Sequence, residues 1–208
     1  QCGIRGLNGS AAMPYAAGWS TNLPTQNLAA AYSTGDQRKA ATILDIEAYK
    51  AANPSFNITY QVAPYKNTGL YSQKYHPRKG ETSGQLELNY LNNYRIIRYA
   101  DVLLMAAEAW NKSTTPNDSK AQGYLNQVRR RAFGNTSNDI NATGNALYLA
   151  ILNERRLELA MEGDRFFDLV RTGQAVTAIT GFTAGKHELF PIPLEEVTIS
   201  GLTQNPGY

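Results

Sequence analysis

Apolar and polar residues follow two different patterns along the chain, and the change comes near residue 91. Before it, glycine, proline and asparagine interrupt any regular spacing, which is typical of loops and short strands. After it, apolar residues recur at the three- and four-residue intervals of an amphipathic helix. The clearest such helix is predicted over residues 95–111. Its predicted buried face consists of Tyr99, Val102, Leu103, Ala106, Ala107 and Trp110.

A second amphipathic helix is predicted over residues 119–133. Its apolar positions are in register at Ala121, Leu125, Val128 and Ala132, and Asp118 in the preceding loop is the predicted N-cap. Two helices of this length joined by a short turn match one tetratricopeptide unit. Such a helix pair presents a surface, so the pattern favours binding over catalysis.

A third long helix is predicted over residues 143–162, where Gly163 provides a left-handed stop. Asp164 is then expected to cap a short helix over residues 165–171, in which Phe166, Phe167, Leu169 and Val170 would be mostly core. Two prolines in residues 189–194 require an extended tail, and residues 203–208 read as a turn.

The first part of the chain is predicted to be irregular. A short helix at residues 26–32 and a strand at residues 42–46 are expected, while residues 47–90 should be loops with short strands. The prediction is therefore a mainly α protein. It has a loop-rich region, residues 1–90, and a helical, tetratricopeptide-like region, residues 91–208.

Composition excludes several classes of function. A formal net charge of +3 without a long basic run argues against nucleic acid as a partner. No apolar run approaches the ~20 residues of a membrane span. Cys2 is the one cysteine of the chain, so it has no partner for an intrachain disulfide. Neither a cofactor motif nor a metal-ligand pattern is recognisable, and no cofactor is expected.

The charged segment at residues 153–171 has two readings. Glu154, Glu158 and Glu162 are spaced by four residues, so a helix places them in one row where they repel each other. One reading is a carboxylate pair for glycoside hydrolysis. The other is an ion-pair lattice with arginines, which lowers carboxylate pKa values and so opposes a general-acid role. The lattice is favoured, and its expected donors are Arg98, Arg129, Arg130 and Arg131.

Several stretches together resemble the carboxy-terminal half of the RagB/SusD family. The resemblance rests on Arg98-Tyr-Ala-Asp-Val-Leu-Leu-Met-Ala-Ala-Glu-Ala109, Leu125-Asn-Gln-Val-Arg-Arg-Arg-Ala132, Ile151-Leu-Asn-Glu-Arg-Arg-Leu-Glu-Leu-Ala-Met-Glu-Gly-Asp-Arg-Phe-Phe-Asp-Leu-Val-Arg-Thr-Gly173, Leu189-Phe-Pro-Ile-Pro193, Gln204-Asn-Pro-Gly-Tyr208, and residues 18–26 and 35–38. It covers nearly the whole chain.

The resemblance implies a non-catalytic, lipid-anchored protein of the bacterial outer membrane that binds glycans and passes them to a TonB-dependent, SusC-like transporter. Family members are more than twice this length and begin with a lipidated cysteine. We therefore expect a C-terminal portion whose anchor lies outside this chain, because the sequence after Cys2 resembles the family's interior.

Aromatic side chains in the loop-rich region are the candidate sugar contacts, because flat rings cover the C–H faces of pyranoses. Glycan sites vary within the family, so no residue carries over by motif. Trp110 is expected in the core, and His76 and His187 are not expected to be catalytic. The candidate ligand-binding residues are Tyr15, Trp19, Asn22, Tyr71 and Tyr75, with Tyr65, Arg78 and Lys79 as further loop candidates. The alternative is a scaffold that docks on the transporter and binds no sugar itself.

Overall fold

A computed structural model of the chain describes residues 2–65, 68–81 and 90–208. It divides into two compact units, of which the first ends at Glu162 and the second is Gly163–Tyr208. The division therefore falls after the third long helix rather than near residue 90. The loop-rich region and the long helices belong to the same unit. The prediction of a mainly α protein is confirmed.

Where the structure describes the loop-rich region, its helices and strands are short. These are α1 (Gln26–Ala31), α2 (Arg38–Thr42), β1 (Ile43–Asp45), α3 (Ile46–Ala52), a 3-10 turn (Pro54–Phe56) and β2 (Leu70–Ser72). The expected helix at 26–32 and strand at 42–46 are confirmed to within a residue or two. Neither α2 nor α3 was predicted. The latter forms because the Asp45 carboxylate accepts hydrogen bonds from the backbone N–H groups of Glu47 and Ala48 at 3.1 and 3.0 Å.

The two strands pair antiparallel, with Leu44 opposite Tyr71. Around them a small apolar core gathers residues from distant loops, including Ile4, Met13 and Ile58. These loops have little regular structure of their own, so burial of these apolar side chains is what holds them together.

Three long helices form the other half of the first unit. They are α4 (Tyr99–Lys112), α5 (Asp118–Phe133) and α6 (Gly144–Glu158). The first helix begins four residues later than predicted, and its buried face is rotated. Leu103 and Ala107 are buried as expected, but Tyr99 is 73% exposed and Val102 44% exposed. The residues buried instead are Ala100, Leu104 and Asn111.

Trp110 packs at the edge of the helical core and is partly buried.

The N-cap of α5 is one residue earlier than the predicted Asp118. Asn117, not Asp118, accepts the hydrogen bond from the Lys120 N–H at 3.0 Å. The Asp118 carboxylate instead accepts from the Asn111 amide at 2.8 Å and the Gly144 N–H at 2.6 Å. One carboxylate thus ties together the ends of three helices.

The third long helix ends at Glu158, four residues earlier than predicted. Met161 then adopts a left-handed conformation with φ 67°, and Gly163 does so with φ 104°. Because Met161 leaves the helical conformation, Glu162 is not simply the next position of the helical row. Its backbone N–H bonds the Leu159 carbonyl at 3.0 Å in a tight turn.

The second unit contains α7 (Arg165–Arg171), α8 (Ala175–Ala178) and α9 (Leu194–Ser200). The boundaries of α7 match the prediction, but the Asp164 side chain does not cap it, and Phe167 is 62% exposed rather than core. Neither α8 nor α9 was predicted. The expected extended segment precedes α9, where the Gln204 amide donates to the Ile192 carbonyl and accepts from its N–H, both at 2.8 Å.

Candidate functional site

The loop that carries Trp19 is fixed by backbone pairing with the start of the chain. The Gly18 N–H donates to the Ile4 carbonyl at 2.9 Å, and the Ser20 N–H donates to the Gly3 carbonyl at 2.7 Å. The Ser20 hydroxyl accepts from the Arg5 N–H at 3.0 Å. These bonds hold the backbone on both sides of the indole.

The indole of Trp19 is 48% exposed, so a substantial part of its surface meets solvent. The Arg5 guanidinium lies 5.7 Å from the centre of that ring and 4.5 Å from the centre of the Tyr65 ring. A cation against an aromatic face is attracted by the electron density of the ring. We call Trp19, Arg5 and Tyr65 the aromatic platform. Arg5 was missed by the sequence reasoning because its role depends on a contact across fourteen residues.

Two of the predicted ligand contacts are buried. Tyr15 is 6% exposed and Tyr71 is fully buried. The Tyr15 ring lies 4.6 Å from the His76 ring, and its hydroxyl accepts from the Gln73 amide at 2.6 Å. Neither ring presents a face that a sugar could reach in this structure. Both rings instead belong to the small apolar core that holds the loops together.

The remaining predicted contacts are accessible but lie in different surroundings. Asn22 is exposed and left-handed, with φ 53°, three residues beyond Trp19. Tyr75 is half-buried and stacks on Tyr94, with ring centres 6.0 Å apart. Of the further candidates, Arg78 is exposed and lies over the Tyr15 ring, and the Lys79 ammonium donates to the Ser10 carbonyl at 2.8 Å.

The predicted carboxylate row is a buried ion-pair centre. Glu154 is fully buried and accepts from Arg38 at 2.6 Å and Arg129 at 2.7 Å. Glu158 accepts from Arg98 at 2.8 Å and Arg131 at 2.5 Å, and Arg38 lies 3.3 Å away. The residues assigned to the lattice are therefore in contact as expected.

Glu162 completes the centre through Arg98 at 2.6 Å and through Lys74. One expected donor is absent from it, because Arg130 pairs with Asp139 on the surface instead. Two members were missed, Arg38 and Lys74. Arg38 also pairs with Asp36 at 2.6 Å. An acid and a base two residues apart are visible in the sequence, so this pair is a local signal for Arg38. No local signal marks Lys74.

The electrostatics of the centre oppose acid catalysis. Burial by itself raises the pKa of Glu158, but the Arg131 and Arg98 guanidinium groups outweigh it and hold that pKa at about 2. A general acid near neutral pH needs a raised pKa. Glu158 is therefore ionised near neutral pH and paired with its arginine partners.

A cavity of about 500 Å³ opens beside this centre. Tyr75 and Thr42 form part of its wall, together with Gln37, Arg38, Ala41, Lys74, Arg95, Arg98, Arg131, Ala132, Glu158 and Glu162. The Thr42 hydroxyl is fully buried, and the Tyr32 phenol is its neighbour.

Neither histidine occupies a catalytic arrangement. The His187 Nδ1 accepts from the Thr183 N–H at 2.8 Å, a local contact as predicted. His76 is buried against the Tyr15 ring, and burial lowers its pKa to about 4. Within the described residues, no group of three or more His, Cys, Asp and Glu side chains is arranged to hold a metal ion. In the same part of the chain, no helix has both the length and the hydropathy needed to cross a bilayer.

Comparison with known proteins identifies the family. The model of the SusD family matches residues 2–208. SusD-like protein P2 of Formosa agariphila is 30% identical over 99% of this chain and 44% of its own length. A solved laminarin binding SusD-like protein is 38% identical with a TM-score of 0.81, covering all of this chain and 43% of that one.

A third relative carries a bound sugar. Surface glycan-binding protein A from Bacteroides thetaiotaomicron, solved in complex with laminarihexaose, is 28% identical with a TM-score of 0.79. The alignment covers 98% of this chain and 46% of that one. The chain thus spans less than half the length of these relatives. The family match over nearly every residue, together with the shared helical fold, shows that this chain belongs to the SusD family.

Proposed function

We propose that this chain is part of a non-catalytic glycan-binding protein of the bacterial outer membrane, and that Trp19 is a sugar contact. The observation that carries the proposal is the half-exposed Trp19 indole on a loop held by backbone hydrogen bonds on both sides. A rigid aromatic surface loses little conformational entropy when a sugar ring covers it. The relatives that are described as binding laminarin or laminarihexaose support a glucan as the first ligand to test.

Arg5 contributes to this proposed site in two ways. Its guanidinium lies against the Trp19 and Tyr65 rings and is attracted to both. An arginine that faces two rings also retains N–H donors that can bond sugar hydroxyl groups. Asn22, exposed three residues beyond Trp19, adds a further amide donor and acceptor in the same loop.

The test is calorimetric titration of the chain with laminarihexaose. We expect Trp19→Ala to weaken binding at least tenfold, equivalent to about 1.4 kcal/mol. Tyr99→Ala is the matched control, because Tyr99 is an aromatic residue that is 73% exposed on α4 and is not a member of the platform. Equal binding by the parent and Trp19→Ala would remove Trp19 from the site. Loss of binding in both variants would point to a general surface effect.

Delivery to a TonB-dependent transporter is the second part of the proposal. The second unit exposes large apolar side chains, among them Phe190 at 70%, Leu194 at 78% and Ile199 at 83%. Exposed apolar surface of this kind is typical of protein contacts. The scaffold alternative, in which this half docks on the transporter and binds no sugar, rests on the same surface.

Two measurements separate the alternatives. Titration with laminarihexaose tests sugar binding directly, and co-purification from solubilised outer membranes tests association with the transporter. The glycan proposal expects both to be positive. Association without any sugar binding would favour the scaffold, and a protein recovered outside the outer-membrane fraction would contradict the proposed location.

A further inference from the structure

The cavity beside the ion-pair centre has more positive than negative charge around it. Each Glu in its wall is already shared, Glu158 by Arg38, Arg98 and Arg131, and Glu162 by Lys74 and Arg98. Counting the centre and the cavity wall within the described residues, six cationic side chains face four carboxylates. The cations are Arg38, Lys74, Arg95, Arg98, Arg129 and Arg131, and the carboxylates are Asp36, Glu154, Glu158 and Glu162.

Two of the cations remain available to a ligand. The Arg95 guanidinium is exposed at the cavity wall and has no carboxylate partner among the described residues. The Arg131 side chain is 57% exposed and has one carboxylate contact, Glu158. A guanidinium has five N–H donors in a planar fork, which suits the paired oxygens of a carboxylate or sulfate.

Polar and aromatic groups of the wall add to this arrangement. Gln37 supplies an exposed amide, and Tyr75 supplies a ring held by Tyr94. The volume of about 500 Å³ lies in the range of small-molecule sites and far exceeds the ~30 Å³ share of one water.

We propose that this cavity binds an oxyanion, the carboxylate group of an acidic sugar residue, through Arg95 and Arg131. None of the cavity residues belongs to the aromatic platform, so binding of the anion does not depend on Trp19. The assignment of that anion to a sugar does rest on the proposed glycan-binding function. Burial lowers the pKa of the Lys74 ammonium, so an added negative charge nearby would also favour its protonated form.

Titration calorimetry with three probes tests the site: D-glucuronate, its neutral counterpart D-glucose, and inorganic sulfate. We expect glucuronate to bind at about 10 mM salt, to bind more weakly at about 150 mM, and glucose not to bind. Glucuronate binding more tightly than sulfate assigns the anion to a sugar. Sulfate binding as tightly or more tightly keeps the oxyanion site and rejects the sugar. Failure of both anions to bind overturns the proposal.

Two variants with matched controls locate the binding. Arg95→Gln should weaken glucuronate about ten- to hundredfold, whereas Arg130→Gln, which removes an exposed arginine that pairs with Asp139 on the surface, should not. Gln37→Glu adds a carboxylate to the wall and should also weaken binding, whereas Gln127→Glu on the exposed face of α5 should not.

Equal weakening by a cavity variant and its control would mean diffuse surface attraction and would overturn the site. Circular dichroism checks that each variant is folded. The laminarihexaose titration of the same sample keeps the two proposals distinguishable. Anion binding with no response to laminarihexaose would leave this cavity standing and reject the Trp19 platform, and the reverse result would reject the cavity alone.

Discussion

Neutralising Glu158 should destabilise the first unit by an amount that depends on pH. The side chain is 3% exposed and contacts Arg38, Arg98 and Arg131. A glutamine has the same shape but no charge, so Glu158→Gln leaves these guanidinium groups with one counter-charge fewer. Removing one partner of a buried ion pair costs about 3–5 kcal/mol.

The pKa of Glu158 gives a second estimate of the same quantity. Burial alone would raise this pKa, but the arginines lower it by a larger amount. The pKa therefore falls from an ordinary 4.5 to about 2. That difference corresponds to about 3 kcal/mol of the free energy of unfolding. Because the pKa is depressed in the folded state, this stability is fully present above pH 4.5 and is lost as the pH falls towards 2.

Urea unfolding followed by tryptophan fluorescence measures this change. Trp19 and Trp110 are the two tryptophans of the chain, and both lie in the unit that ends at Glu162. The deficit of Glu158→Gln should be about 3 kcal/mol at pH 7 and should narrow below pH 4.5. Asp139→Asn, which breaks the exposed Arg130 pair, is the control and should cost much less. A deficit that is equally large at pH 7 and pH 3 would refute the charge argument.

Three other perturbations test separate features. Gly18→Ala should destabilise the platform loop and weaken laminarihexaose binding, because its Cβ would lie 2.3 Å from the Gly3 Cα; unchanged thermal unfolding and titration would contradict this. His76→Leu should reduce the loss of stability that the parent shows as pH falls from 6.5 to 4.5, since burial lowers the pKa of that imidazole to about 4 and the unfolded chain takes up the proton first; urea unfolding across that range measures the change, and an unchanged loss would contradict the prediction. Asn126→Ala should lower the free energy of unfolding by about 2 kcal/mol, because this buried amide accepts from the Ile140 N–H at 2.8 Å and donates to the Ile140 carbonyl at 3.0 Å, in the loop between α5 and α6. A variant as stable as the parent in urea unfolding would show that water replaces both bonds.

Regular spacing made the long helices predictable, but it did not identify the correct face of every helix. In α4, ten of the fourteen positions are apolar or small, so several registers satisfy the same pattern. Packing against α5 and α6 selected Leu104 over Val102 for the core. The early end of α6 could not be predicted either. The residue that adopts the left-handed conformation in the turn is Met161, and no glycine marks that position in the sequence.

The candidate site was predicted in part. The four-residue spacing of the glutamates and the adjacent arginines predicted an ion-pair lattice from local rules, and Arg98, Arg129 and Arg131 are its members. Lys74 joins from 88 residues away in sequence, a distance over which no local rule operates. The aromatic residues in loops remain predicted sugar contacts. Which of them is exposed depended on how the loops fold over one another.

The sequence by itself determined the helical character, the family and the charge complementarity at the ion-pair centre, because all three depend on local spacing and on residue type. Tertiary structure decided which surfaces exist. It buried Tyr15 and left the Trp19 indole half exposed, although both belong to the same glycine-rich loop. It also assembled the cationic cavity from α2, α5, the end of α6, the segment after β2 and the segment before α4. Burial and cavity shape are sums over contacts between distant residues, so they appear only when the whole chain is folded.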